Sequence, residues 1–364
     1  MAKLKLGCVG LRRGAHILKH WLSLKRTDAE IVAICDLNKD LLDSAEKDIK
    51  SLADIYGIKV DFKKFLSYEE MLKTDVDAII IATPANIHIK YVEMAMNAGK
   101  HVLSEIPAVS SLEEAIKLKK IVSSHPNLKY MSAENCCFLE FVQTFKKLYE
   151  DGTLGDIFYA ETDYLHDCRN LMEDAQGNLT WRAHYDAINY VTHDVGTMLY
   201  ILSDEVESVT AFTPNVKVTP KEYMGSSNQI GIFKTKKGTI IKMVAGFAIN
   251  LEATHNFAMY GTKGSVERNR NENWVDADNY LTVEGDVKTG KHTKTVLAND
   301  KESRFGYHGG ADMKMVGAFV DCIINDTPSP IDVDLAINMA LPGIYAAMSA
   351  KQGGIPLKIP KYTD

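Results

Sequence analysis

Short apolar runs alternate with longer stretches of helical periodicity over the first third of the chain. Leu4 to Val9 reads as a buried strand and Ala15 to Leu24 as a helix. Glu30 to Cys35 is a second strand and Asp40 to Tyr56 a long polar helix. Ala78 to Ala82 is a further buried strand, ended by Thr83-Pro84. Ile87 to Ala98 is a helix that Gly99 closes, His101 to Ser104 another strand, and Leu112 to Ser123 the next helix. Strands that alternate with helices predict a doubly wound parallel sheet covered on both faces.

Beyond about residue 130 the pattern changes. Tyr130 to Ala133 is a short strand and Leu139 to Asp151 a helix. Strands then follow one another: Ile157 to Tyr164, Val206 to Phe212, Gln229 to Thr235, Gly238 to Ala245 and Thr254 to Tyr260. Lys236-Lys237-Gly238 and Gly261-Thr262-Lys263-Gly264 have the composition of hairpin turns. An α+β region on a mainly antiparallel sheet is therefore expected over 131–364, after a first domain over 1–130. Helices are expected at Asp312 to Ile324 and Asp334 to Ala350, the last of them able to pack back on the first domain. The polar stretch Asn269 to Ser303 reads as loop or edge strands.

Composition narrows the classes of function. The 364 residues exceed one hydrophobic core, which agrees with two domains. A net charge of −6 lacks the basic footprint of a nucleic-acid binder. No apolar run reaches the roughly 18 residues that span a bilayer, so no membrane partner is expected. Met1-Ala-Lys-Leu runs straight into strand pattern without a signal-peptide core. The six scattered cysteines show no ligand spacing. We expect a cytoplasmic protein with reduced thiols and no metal site.

Gly7-Cys-Val-Gly10-Leu11-Arg12-Arg13-Gly14 joins the first strand to the first helix. Glycines there let backbone N–H groups approach a diphosphate at the positive end of a helix, as in a Rossmann domain. Arg12 and Ala15 stand where two glycines of the usual G-x-G-x-x-G would be. We expect Gly10, Leu11, Arg12 and Arg13 at the cofactor, with the arginines serving the pyrophosphate or a substrate acid. Asp36 ends the second strand, where it can accept both adenosine ribose hydroxyls and repel a 2′-phosphate. That favours NAD over NADP. A plain tight turn and a surface acid are the alternative readings.

Ala82-Thr-Pro-Ala-Asn-Ile-His88 and Ala98-Gly-Lys-His-Val-Leu-Ser-Glu105-Ile-Pro107 resemble the Gfo/Idh/MocA oxidoreductases, which pair a Rossmann domain with an open antiparallel sheet. The resemblance implies cofactor contacts by Thr83, Pro84, His88 and Asn135, and contact of Glu105 with the nicotinamide ribose. Ile106 stands where the family usually has lysine, the group that helps family dehydrogenases deprotonate a sugar hydroxyl. The blocks Glu134-Asn-Cys-Cys-Phe138, Tyr164-Leu-His-Asp-Cys-Arg169, Trp181-Arg182, Tyr190-Val-Thr-His193-Asp-Val-Gly196, His308-Gly-Gly-Ala-Asp312 and Ile331-Asp-Val-Asp334 are similar to NAD-dependent alpha-N-acetylgalactosaminidases and related glycosidases. Valine replaces the proline usual in the Tyr190 block.

That branch implies transient oxidation at sugar C3, C1–C2 elimination, water addition and re-reduction, with a sugar or glycoside as the small-molecule partner. It also implies a homo-oligomer, formed through the open sheet face. Tyr190 and His193 lie three residues apart, so they share a face if a helix begins there. Tyr190, as phenolate beside a cation, is the expected C2 base, and His193 the acceptor of the C3 hydroxyl proton. Alone, His193 would read as a helix-start histidine satisfied by backbone. His166, Asp167 and Arg182 are expected to bind substrate, or else to form a strand-end ion pair and a buried guanidinium anchor. His308 and Asp312 line the pocket or cap a helix. A plain sugar dehydrogenase and a non-catalytic cofactor-binding sensor are the competing readings.

Overall fold

In a computed structural model of the chain, which describes residues 3–174, 176–216, 223–270, 277–286, 291–297 and 308–363, runs such as Ala78–Ile81 are buried at every position. Such strands need cover on both faces, and the first sheet provides it. Its strands are β1 (Leu4–Val9), β2 (Ala29–Cys35), β3 (Lys63–Phe65), β4 (Ala78–Ile81), β5 (His101–Ser104) and β6 (Tyr130–Ser132), all parallel, in the order β3-β2-β1-β4-β5-β6. The helices between them are α1 (Leu11–Ser23), α2 (Lys39–Tyr56), α3 (Tyr68–Leu72), α4 (His88–Asn97) and α5 (Leu112–Ser123). Asn38, Ser67 and Ser111 cap α2, α3 and α5 through their side chains.

Two compact units result, one of residues 1–135, 310–337 and 362–364 and one of 136–309 and 338–361. The first therefore extends past residue 130, because β6 hydrogen-bonds to β5 and completes its sheet. It also recovers a distant segment that carries α8 (Ala311–Ile324). Ser132 N donates to Ile331 O, and Arg26 pairs with Asp321 at 2.6 Å.

The second unit contains α6 (Glu140–Glu150), α7 (Val195–Leu202) and a nine-stranded sheet. Its strands are β7 (Ile157–Leu165), β8 (Val206–Phe212), β9 (Asn228–Thr235), β10 (Ile240–Gly246), β11 (Thr254–Gly261), β12 (Gly264–Arg268), β13 (Asn279–Asp286), β14 (Lys291–Leu297) and β15 (Leu357–Lys358). Both expected hairpins are present, as β9–β10 and β11–β12. One pairing departs from the antiparallel expectation: β10 lies parallel to β7, because the chain leaves the sheet after β7, re-enters three places away as β8 and works back through β9 to β10. In the polar stretch 269–303, β13 and β14 form the sheet's edge. Residues 271–276, 287–290 and 298–303 of it lie outside the described residues.

The last helix, α9 (Val333–Lys351), is long and apolar enough to cross a membrane by length and composition, although Asp334 and Asn338 interrupt any continuous apolar run. Most of it is buried within the protein, as a core helix is.

Candidate active site

In the first unit β1 ends at Gly10, whose φ is 87°. A Cβ there would stand 2.4 Å from the Ala82 carbonyl oxygen, so the turn admits only glycine. Helix α1 starts at once, four residues earlier than its apolar pattern suggests. Asp36 explains the early start: its Oδ2 accepts from Leu11 N at 2.8 Å while Oδ1 accepts from Asn38 N at 2.9 Å. Gly10 supplies no side-chain cap. Backbone N–H groups of Arg12 and Arg13 therefore remain at the positive end of the helix, where an anion is stabilised. Arg12 itself is exposed. Beside Gly10, Thr83 Oγ1 is buried without a hydrogen-bond partner, the kind of atom that a bound polar ligand satisfies. A glycine-only turn, an open helix start, a strand-end aspartate and an orphaned hydroxyl together fit a dinucleotide.

Several residues expected at the cofactor or substrate are instead tied to one another. Arg13 donates through Nε to Glu105 at 2.7 Å and through both terminal nitrogens to Asp312, at 3.0 and 2.6 Å. Burial alone would lower the Arg13 pKa; Glu105 and Asp312 outweigh it and raise it. Its charge is thus committed to two carboxylates rather than left for a pyrophosphate. Asp312 is only 1% exposed and also accepts from Asn135 Nδ2 at 3.0 Å, with His20 Nε2 3.5 Å away. It is the hub of a buried network in the first unit. The second Glu105 oxygen accepts from Ile106 N. His88 is buried with Nδ1 3.1 Å from the Pro107 carbonyl and Nε2 2.8 Å from that of Thr83. It braces the Thr83-Pro84 loop from beneath.

In the second unit a 3-10 turn over Ala187–His193 carries the central motif, with Tyr190 in non-helical geometry. Residues three apart eclipse in such a turn. The Tyr190 and His193 rings accordingly meet, their centroids 4.9 Å apart and nearly perpendicular. The turn is held from behind by tight packing. A Cβ at Gly196 would stand 2.9 Å from that of Met339, and one at Gly343 would stand 2.6 Å from Val191. The motif's final glycine thus serves the approach of α9 to α7.

Around the two rings the fold gathers side chains from distant segments. Arg182 lies over the Tyr190 ring at 5.3 Å and over Phe247 at 5.5 Å. Desolvation would lower its pKa; charge coupling and a hydrogen bond to Tyr190 prevail and raise it. Tyr164 packs against Tyr190 and His193 at 5.1 and 5.7 Å and shares a 3.1 Å hydrogen bond with His166 Nδ1. In the sequence it stands at the head of the Tyr164–Arg169 block, with no role assigned to it. Burial pushes the Tyr164 pKa well above that of an ordinary phenol.

His166 is held below its ordinary pKa by desolvation and by the charges of Arg182, His193 and His308, which places His308 in the same neighbourhood. His255, edge-on to Tyr164 at 4.7 Å, is held neutral by burial. Asp167 leaves the group: Arg169 grips its carboxylate and holds its pKa below the ordinary range. It is the strand-end ion pair. Cys136, read as a buried small side chain, is buried and sets its Sγ 3.3 Å from His193 Nδ1.

Two family models match the chain. The first is an oxidoreductase family with an NAD-binding Rossmann fold, over residues 4–133. The second is the GFO/IDH/MocA C-terminal domain, over residues 142–267. A glycosyl hydrolase family 109 protein of Solibacter usitatus is 24% identical, the match covering 99% of this chain and 88% of that protein. A glycosyl hydrolase family 109 protein 1 of Bacteroides thetaiotaomicron is 24% identical, over 99% and 84%. Among solved structures, levoglucosan dehydrogenase in complex with NADH and L-sorbose superposes with a TM-score of 0.81 at 19% identity, covering 99% and 100%. Scyllo-inositol dehydrogenase from Lactobacillus casei, with NAD(H) and scyllo-inositol, superposes with a TM-score of 0.77 at 20% identity, covering 98% and 99%. The first unit is an NAD-binding Rossmann domain.

Proposed function

The chain belongs to the GFO/IDH/MocA oxidoreductase family, and from that premise we propose that it is an NAD-dependent glycosidase that works through a transient C3 ketone. The observation that carries the proposal is the Arg182–Tyr190 pair beside His193. Bound NAD supplies the oxidation at sugar C3 and its later reversal. His193 accepts the C3 hydroxyl proton, the task that lysine performs in family dehydrogenases and that Ile106 cannot. With C3 a ketone, the C2 proton is acidic. Tyr190, kept as phenolate by Arg182, removes it, and the C1 substituent departs. Water then adds at C1 and Tyr190 returns the proton to C2. The names of the relatives with near-complete coverage support this reading. A plain dehydrogenase is the second reading, favoured by the names of the solved structures. Incubation with a panel of chromogenic glycosides and NAD separates the two. The proposal expects leaving-group release without growth of the NADH band; stoichiometric NADH with an intact glycoside overturns it.

The open face of the second sheet presents Phe212, Ile230 and Ile232 to solvent, 53%, 41% and 40% exposed. Phe212 and Ile230 are cross-strand partners on one side of β8 and β9. We assign this face to a second copy of the chain. Light scattering of Ile232→Lys should show a smaller particle than the parent; an unchanged mass would contradict the assignment. The six cysteines are buried free thiols, in keeping with a cytoplasmic protein, which cell fractionation would test.

A further inference from the structure

We propose that Trp181 is the floor of a second sugar subsite, one that takes the ring on the leaving-group side of the glycoside; the inference rests on the glycosidase reading. Trp181 opens the 3-10 turn Trp181–His184. It is 39% exposed, although it is among the largest apolar side chains of the unit. Two contacts fix its ring. The Arg182 guanidinium lies 4.6 Å from the ring centroid, and Tyr185 meets it edge-on at 5.4 Å and 80°.

The same guanidinium covers Tyr190. One cation therefore bridges the ring that acts on C2 and a ring that stands partly in water. Leu179, two residues before Trp181, is 45% exposed, and Thr180, its immediate neighbour, bonds to the Met172 and Leu171 carbonyls and so ties the segment to Leu171, 43% exposed. A rigid, half-open indole with an apolar rim matches the axial C–H face of a pyranose, which is apolar while its hydroxyl edge stays wet. Such a ring loses little conformational entropy when it is covered. The reacting sugar faces Tyr190 and His193, so the ring that Trp181 accommodates is the next one outward, attached at C1.

The test compares phenyl and methyl glycosides of one sugar. The sugar is whichever the chromogenic panel shows to be cleaved fastest, or α-N-acetylgalactosaminide if none is cleaved. Affinity is read by calorimetry with NAD present, and turnover in parallel. The parent protein should prefer the phenyl glycoside, and Trp181→Ala should reduce that phenyl-to-methyl preference about threefold to tenfold. Trp181→Phe should retain part of it. Because the readout is a ratio, a general disturbance of Arg182 affects both ligands alike and cancels. An unchanged ratio in Trp181→Ala, or no preference in the parent, overturns the subsite while cleavage keeps the glycosidase reading intact. A preference that falls with Trp181 in a protein that cleaves neither glycoside leaves the subsite standing and removes the glycosidase reading.

Discussion

Arg13 and Arg182 are both largely shielded guanidiniums, one in each unit, and their partners differ in kind. Arg13 faces two carboxylates, Glu105 and Asp312, and its charge is spent on holding α1, the end of β5 and the start of α8 together. Arg182 has no carboxylate partner among the described residues; it faces the rings of Trp181, Tyr190 and Phe247. A cation neutralised by acids builds structure. A cation left among phenols and apolar rings favours the ionised form of the titratable groups beside it, Tyr190 first among them.

The largest expected effect lies on the Arg182 side. Tyr190→Phe keeps the ring and deletes the hydroxyl, so glycoside cleavage and C2 exchange should fall about a hundredfold to ten-thousandfold. Stopped-flow at the NADH band should still show hydride transfer. His193→Ala should slow that transfer itself. Equal loss of every step in both variants, with NAD binding retained, would merge the two roles.

On the other side, Arg13→Met should leave Glu105 and Asp312 buried without their cation. Denaturant unfolding should show a loss of about 3–5 kcal/mol. A loss below about 1 kcal/mol would mean that Arg13 is not the keystone described here.

Arg182→Met sharpens the contrast, since it should act on pH dependence more than on stability. Without the guanidinium the phenolate of Tyr190 is less favoured, so the rising limb of the pH–cleavage profile should move to higher pH. A limb that stays in place would detach Arg182 from the base.

The smallest effect concerns His255. Its folded pKa lies well below the ordinary 6.5, so the unfolded chain binds the extra proton. Its contribution to stability is full above about pH 6.5 and declines as the pH falls below that value. His255→Gln should flatten the decline in thermal midpoint between neutral and mildly acid pH; an identical slope would assign the loss to other groups, such as His166 and His101, whose pKa values are also lowered.

The same contrast governs what the sequence made legible. The positions of Gly10 after β1 and Asp36 after β2, and the parallel strands, follow from local spacing and backbone sterics, and the structure has them there. The three-residue interval between Tyr190 and His193 is legible in the sequence, and in the structure their rings meet. The partner of Arg13, Asp312, lies about 300 positions away, and no local pattern encodes that ion pair. The packing of Tyr164 on Tyr190 and His193 was not legible, because it comes from strand β7 meeting the turn that carries them. The proximity of Cys136 to His193 is long-range in the same way. The early start of α1 was hidden because Asp36, not an apolar stripe, sets it.

The central claim is that Tyr190 exchanges the C2 proton while the glycosidic bond breaks. It is tested most directly by turnover of a cleaved glycoside in deuterated water, with the product examined by NMR. The account predicts one deuterium at C2 of the released sugar and no accumulated NADH. A cleaved product with only protium at C2 would contradict it.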